Sequence, residues 1–334
     1  MSTATTRARA GVRHGPRVRG LTWLMWRQNR AAFVIGLAVA AAVAAYAAVQ
    51  HQHVTEAITA QHLDACRGSA DSLQCTRDLL GFGKEYQYPL RRALQLMPLL
   101  PFLFGVFLGA PQFAQELESG TYRTVATQSV TRLRWFAAKL GVPLAVTVVV
   151  SGLLSAAMTW WWRPVADIMG PHFPWHDWYP FYGVGPIVVG LSVLFFLLGA
   201  TLGLFLRRTV AAMGSALVAG AGLFALLERL RPHLWPVSTS VARNTAEPRV
   251  PGNAWLLADG PLTTDGRRAP DVTDCLPQGS YAQCLKSQGL TGRWAEYHPV
   301  SHFWSLQWTA TALCLAIGMA LVALSVWRMR RHPA

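Results

Sequence analysis

Glu116 and Glu118 lie in the stretch Pro111-Gln-Phe-Ala-Gln-Glu-Leu-Glu-Ser-Gly120, with proline where a helix begins and glycine where one ends. The pattern predicts a short helix over 112–119. Phe113 and Leu117 stand four apart on one face, and both carboxylates are able to bind a partner. Ser129 is placed to cap the next helix. That helix carries Arg132, Arg134 and Lys139, which can meet lipid phosphates or the two acids. Acids on one short element and cations on the next suit recognition of another chain rather than covalent catalysis.

Other chemistry-bearing groups fall short of a catalytic constellation. Gly81-Phe82-Gly83-Lys84 approaches a phosphate loop but lacks its spacing, and neither H-E-x-x-H nor G-x-S-x-G occurs. His298 and His302 are four apart with Pro299 between them and no evident third ligand. His172, His176 and Asp177 sit among Pro and Trp and read as a surface loop rather than a metal set. Cys66 and Cys75, and Cys275 and Cys284, are each nine positions apart. They predict local bridges Cys66–Cys75 and Cys275–Cys284, worth roughly 2–3 kcal/mol per closed loop. Four cysteines permit three pairings, and a bridge between the two segments stays open. Cys314 lies in an apolar run and reads as a small apolar residue.

The elements that must position these groups are membrane spans. Six runs contain no Asp, Glu, Lys, Arg or His: 31–49, 93–110, 140–158, 184–206, 209–227 and 308–327. Each is close to the roughly 20 residues that a helix needs to cross a hydrocarbon core; only helices or closed barrels satisfy their backbone in lipid, and runs this long are helices. The expected fold is an all-α membrane protein: a single transmembrane domain of six helices with two large loops, 50–92 and 228–307. The chain of 334 residues is 52% hydrophobic, which excludes a disordered chain. Its length and five cysteines exclude a small disulfide-framed scaffold.

Charge sets the expected orientation. Residues 1–30 hold seven Arg and no acid, which places both termini and the segment 111–139 in the cytoplasm. The formal net charge of +14 then falls on that face, where it meets anionic headgroups rather than nucleic acid. Arg91 and Arg92 resist the pattern, because they stand at the outer end of the second run. Residues 18–30 predict a helix lying in the inner interface, with Leu21, Trp23 and Trp26 toward lipid and Arg27 toward phosphates. A cleavable signal peptide ending at Ala45-Tyr46-Ala47 is the alternative, and the long apolar run favours an uncleaved anchor.

Several further features bear on function. The absence of ionisable residues in the runs disfavours proton coupling. Gly105-x-x-x-Gly109 and Gly199-x-x-x-Gly203 allow close helix approach, within the chain or between subunits. Pro98, Pro101 and Pro143 bend helices unless neighbours satisfy the freed carbonyls. Leu206-Arg207-Arg208-Thr209 predicts a tight helical hairpin, and 236–274 reads as an irregular segment.

Glu116-Leu117-Glu118-Ser119-Gly120-Thr121, then Arg132 and Lys139-Leu140, resembles the E-x-G-T…R…K-L signature of type-two ATP-binding-cassette (ABC) transporter permeases. Leu21-Thr22-Trp23-Leu24-Met25-Trp26-Arg27-Gln28 resembles the opening of the actinobacterial branch. The resemblance implies a coupling helix that docks on a separate ATP-binding subunit. Phe113, Glu116, Leu117, Glu118, Gly120 and Thr121 would belong to it, and Arg132 and Lys139 to its return into the membrane. It implies a second permease copy, identical or not, with ATP and Mg held by the partner and no cofactor in this chain. The expected function is the permease of an exporter in the cell membrane. A membrane-anchored sensing or immunity protein binding a ligand through its outer loops is the alternative.

Overall fold

The computed structural model describes residues 21–66, 73–120, 132–243, 247–269, 287 and 289–331. Ten α-helices and one small sheet are described among them. α1 spans Leu21–Ala60. α2 (Leu73–Phe82), α3 (Tyr88–Leu96), α4 (Leu99–Leu103) and α5 (Ala110–Glu118) follow end to end, with π-helical turns at Gly83–Gln87 and Phe104–Gly109. α6 is Arg132–Met169, α7 Trp178–Gly183, α8 Ile187–Leu206 and α9 Thr209–Leu230. After strands β1 (Ser238–Arg243), β2 (Trp255–Thr263) and β3 (Leu290–His298), α10 runs over Phe303–Arg331. Among the described residues, six helical segments are long and apolar enough to cross a membrane, and each carries one of the predicted runs, the fourth from Ile187 onward.

α8 is the central helix, because its sequence is apolar on every side and most of it is buried. The two glycine pairs decide how closely it is approached. A methyl group built on Gly105 or Gly109 would meet the backbone of Phe195 or Phe196, and one on Gly199 or Gly203 would meet that of Gly105 or Ala110. The glycine motifs therefore face each other across the crossing of α8 with the Phe104–Gly109 turn. They serve packing within the chain.

Each proline inside α6 frees a carbonyl four residues earlier, and a side chain from another helix takes it. Pro143 leaves the carbonyl of Lys139, which accepts from Gln112 Nε2 at 2.8 Å. Pro164 leaves the carbonyl of Trp160, which lies 3.0 Å from Nδ1 of His51 on α1. The His51 ring also stacks on Trp160 at 4.1 Å. α6 is thus pinned to α5 near one end and to α1 near the other.

Three sequence expectations change. Residues 21–30 are not a separate interfacial helix: they are the first turns of α1, a single 40-residue helix that holds no proline and tolerates its one glycine, Gly36. The loop at 50–92 is largely helical, with α1 continuing to Ala60 and the Cys66–Cys75 disulfide joining its far end to α2. The segment 236–274 is not irregular throughout. It supplies β1 and β2, which flank β3 in an antiparallel sheet of order β1-β3-β2. Pro261 lies in β2, where an edge position tolerates its missing donor. Cys275 and Cys284 lie outside the described residues.

Candidate functional site

The molecule has two ends. One carries α5, the start of α6 and the α8–α9 turn; the other carries the disulfide and the sheet. The sequence-predicted docking residues gather at the first, the basal end.

α5 turns Gln112, Phe113 and Ala114 inward and leaves Gln115, Glu118, Ser119 and Gly120 exposed. Phe113 stacks on Phe136 at 5.2 Å and meets Trp135 edge-on at 5.6 Å. Lys139 is buried beside these rings, its Nζ 5.5 Å from the Phe113 centroid and 5.1 Å from that of Trp135. Nζ also lies 2.8 Å from Glu116 Oε1. Two ring faces and one carboxylate replace the water that a buried ammonium loses. Leu117 packs half-buried against the same cluster. A cavity of about 380 Å³ opens beside the pair, lined in part by Asn29, Gln115 and Glu116.

Glu118 reaches a different helix. Its Oε2 accepts from the backbone N–H of Thr209 at 2.8 Å. Thr209 opens α9, so the carboxylate satisfies an otherwise unpaired donor and meets the positive end of that helix. The contact is positioned by the two-residue turn at Arg207 and Arg208, in which Arg207 takes the left-handed region at φ 56°. Both acids expected to face a partner are therefore engaged inside the chain, Glu116 with α6 and Glu118 with α9. Gly120 has φ +70°, which a side chain would strain, and α5 stops there.

Arg132 opens α6, and Thr121 lies outside the described residues. Leu21 and Trp23 are in the first turns of α1. Trp26 is half-exposed and tilts against Phe33 at 5.6 Å, and Arg27 is exposed. Arg328 covers Phe205 at 5.2 Å, adding a further cation to this end.

Two groups were missed by sequence reasoning. Gln112 lies on the buried face of α5, and its signal is indirect: a proline four residues after Lys139 on another helix. Arg231 sits at the sheet end, four residues past an apolar run, and is 5% exposed. It pairs with Glu228 at 3.2 Å and donates to the carbonyl of His176 at 2.7 Å. Its guanidinium lies 4.4 Å from the Trp255 centroid and 4.8 Å from that of Phe181. Burial, with the Arg231 charge adding to it, holds His176 below its ordinary pKa against the opposing pull of Asp177. Burial and the nearby Glu228 carboxylate push the Tyr182 hydroxyl well above the usual range.

The chain matches the family model described as ABC-2 membrane transporter related over residues 37–231, more than half its length. No curated protein matches it. No solved structure matches it.

Proposed function

Because the chain belongs to the ABC-2 membrane transporter related family, we propose that it is the permease subunit of an ABC exporter. The cargo would be a lipid, a peptide antibiotic or a drug-like molecule. As a multi-pass membrane protein of this family, it is a membrane transporter component. In this reading ATP and Mg bind a separate ATP-binding subunit, and a second permease copy completes the path. The excess of basic residues at the basal end supports placing that end in the cytoplasm.

One observation carries the reading: α5 is tied to two different spans. A push on its exposed side would reach α6 through the Lys139–Glu116 pair and the Gln112 bond, and α9 through Glu118. The α8–α9 hairpin and α6 would then tilt together and change access between two permeases. The docking surface is the exposed side bearing Gln115 and Ser119, because the acids serve the tethers.

The experiment is co-purification with a candidate ATPase, comparing the native chain with Q115R/S119R. Neither side chain is buried, so folding should be preserved. The expected result is about tenfold weaker association, with the melting temperature kept. Undiminished association would remove α5 as the docking element. The folded sheet supports the ligand-binding alternative, which predicts ligand capture by the full chain and no associated ATPase.

A further inference from the structure

Arg91 and Arg92, which resist the charge pattern, line a cleft of about 730 Å³ together with Tyr46, Lys84, Tyr88 and Gln95. A second cavity of about 320 Å³ shares Lys84, Tyr88 and Arg91 with it. Lys84, Arg91 and Arg92 are exposed, and none has an ion-pair partner among the described residues. Arg91 is steadied by the Tyr179 ring at 5.0 Å.

Position narrows the ligand. Arg92 and the basal Pro111 are separated by about 28 Å along a helical path, close to one hydrocarbon thickness of ~30 Å. The cleft therefore sits at the membrane boundary opposite the basal end, at headgroup depth, whichever way the chain is oriented. Toward the membrane, Leu96, Leu99 and Leu103 are each more than half exposed and continue the path as an apolar surface. Three cations at the top of an acyl-compatible strip match an amphiphile with a phosphate on its polar end. A guanidinium fork suits phosphate oxygens, and three positive charges exceed what a single carboxylate would balance. Cations that only snorkel to water need no shared cavity between aromatic rings.

We propose that this cleft binds the phosphate-ester headgroup of an amphiphile drawn from the adjoining leaflet. The inference does not rest on the docking of α5, because binding is measured on the permease chain alone.

The test uses the full chain in detergent, titrated with short-chain phosphatidylglycerol and phosphatidic acid. Phosphatidylcholine, glycerol 3-phosphate, inorganic phosphate and an oligoglutamate peptide are the comparison ligands. The expected result is saturable binding of both anionic lipids, about tenfold tighter than phosphatidylcholine. K84Q/R92Q should weaken it about tenfold while leaving the melting temperature in place. Competition by glycerol 3-phosphate or inorganic phosphate at lipid-like concentration would keep the phosphate site but overturn the leaflet source. Equal binding by K84Q/R92Q, equal binding of phosphatidylcholine, or stronger binding of the peptide would overturn the proposal.

Discussion

Lys139 and Arg231 are both buried cations, one at each end of the bundle, and they are buried in different ways. Lys139 joins neighbours, pairing with Glu116 and touching two rings from α5 and α6. Arg231 gathers three stretches that are far apart in the chain: its own at the end of α9, residues 176–181, and β2. It holds Glu228 on its own helix, the carbonyl of His176, Phe181 on α7 and Trp255 on β2. His298 completes the junction, its Nε2 lying 3.0 Å from the carbonyl of Pro232. A cation with few partners on two elements can shift with them. A cation shared by three distant stretches fixes them. In the proposed mechanism the basal end is the part that moves, and the sheet end is the frame.

The contrast is broken most strongly at Arg231. R231M leaves the Glu228 carboxylate without its cation and removes the plate on which Trp255 rests. The expected loss is about 3–5 kcal/mol, the cost of breaking a buried pair, read as a lower melting temperature and early proteolysis within the sheet. K139M should cost less, about 2–3 kcal/mol, because it gives up one ion pair and two ring contacts, whereas R231M also abandons the His176 carbonyl and the rings of two further stretches of chain. Q112L should cost about 1–2 kcal/mol, since the carbonyl freed by Pro143 loses its donor. Equal losses for R231M and K139M would erase the distinction between the two ends.

Acid should reach the frame before the moving end. The His176 pKa is lowered in the folded state, so the unfolded chain binds more protons below the ordinary histidine pKa near 6.5. Its contribution is complete above that value and declines as the pH falls below it toward the lowered folded-state pKa. The melting temperature should drop over that interval, and H176Q should shrink the drop. An undiminished drop in H176Q would assign the pH response elsewhere. The smallest effect is expected for E118Q, a lowering of the melting temperature smaller than that of Q112L, because an amide oxygen still accepts from Thr209 and only the charge–dipole gain is lost.

Legibility in the sequence follows the same divide. The six spans, the tight turn at Arg207-Arg208 and the Cys66–Cys75 bridge rest on local pattern, and all were readable. The end of α5 at Gly120 was readable, but its start was not: α5 begins at Ala110 and continues the second span without a break, so Pro111 opens no separate helix. The tethers were less readable. Glu116 and Lys139 were seen as able to meet, but the contact of Glu118 with Thr209 spans 91 positions. The sheet escaped because β1 pairs with β3 across a long interval, and Gly260 and Pro261 interrupt the strand pattern of β2. Arg231 was counted as a loop charge because it lies just past an apolar run. Only the fold brings the aromatic faces that bury it.

The central claim is that the exposed side of α5 meets an ATP-binding subunit. A single cysteine placed there by Q115C, in membranes containing the candidate ATPase, tests it directly with a short thiol-to-amine cross-linker. V241C on the exposed face of β1 serves as the control. The account predicts a cross-linked band with the ATPase from Q115C, above the native chain's background, and none from V241C. A band from V241C, or none from Q115C while the two proteins still co-purify, would contradict it.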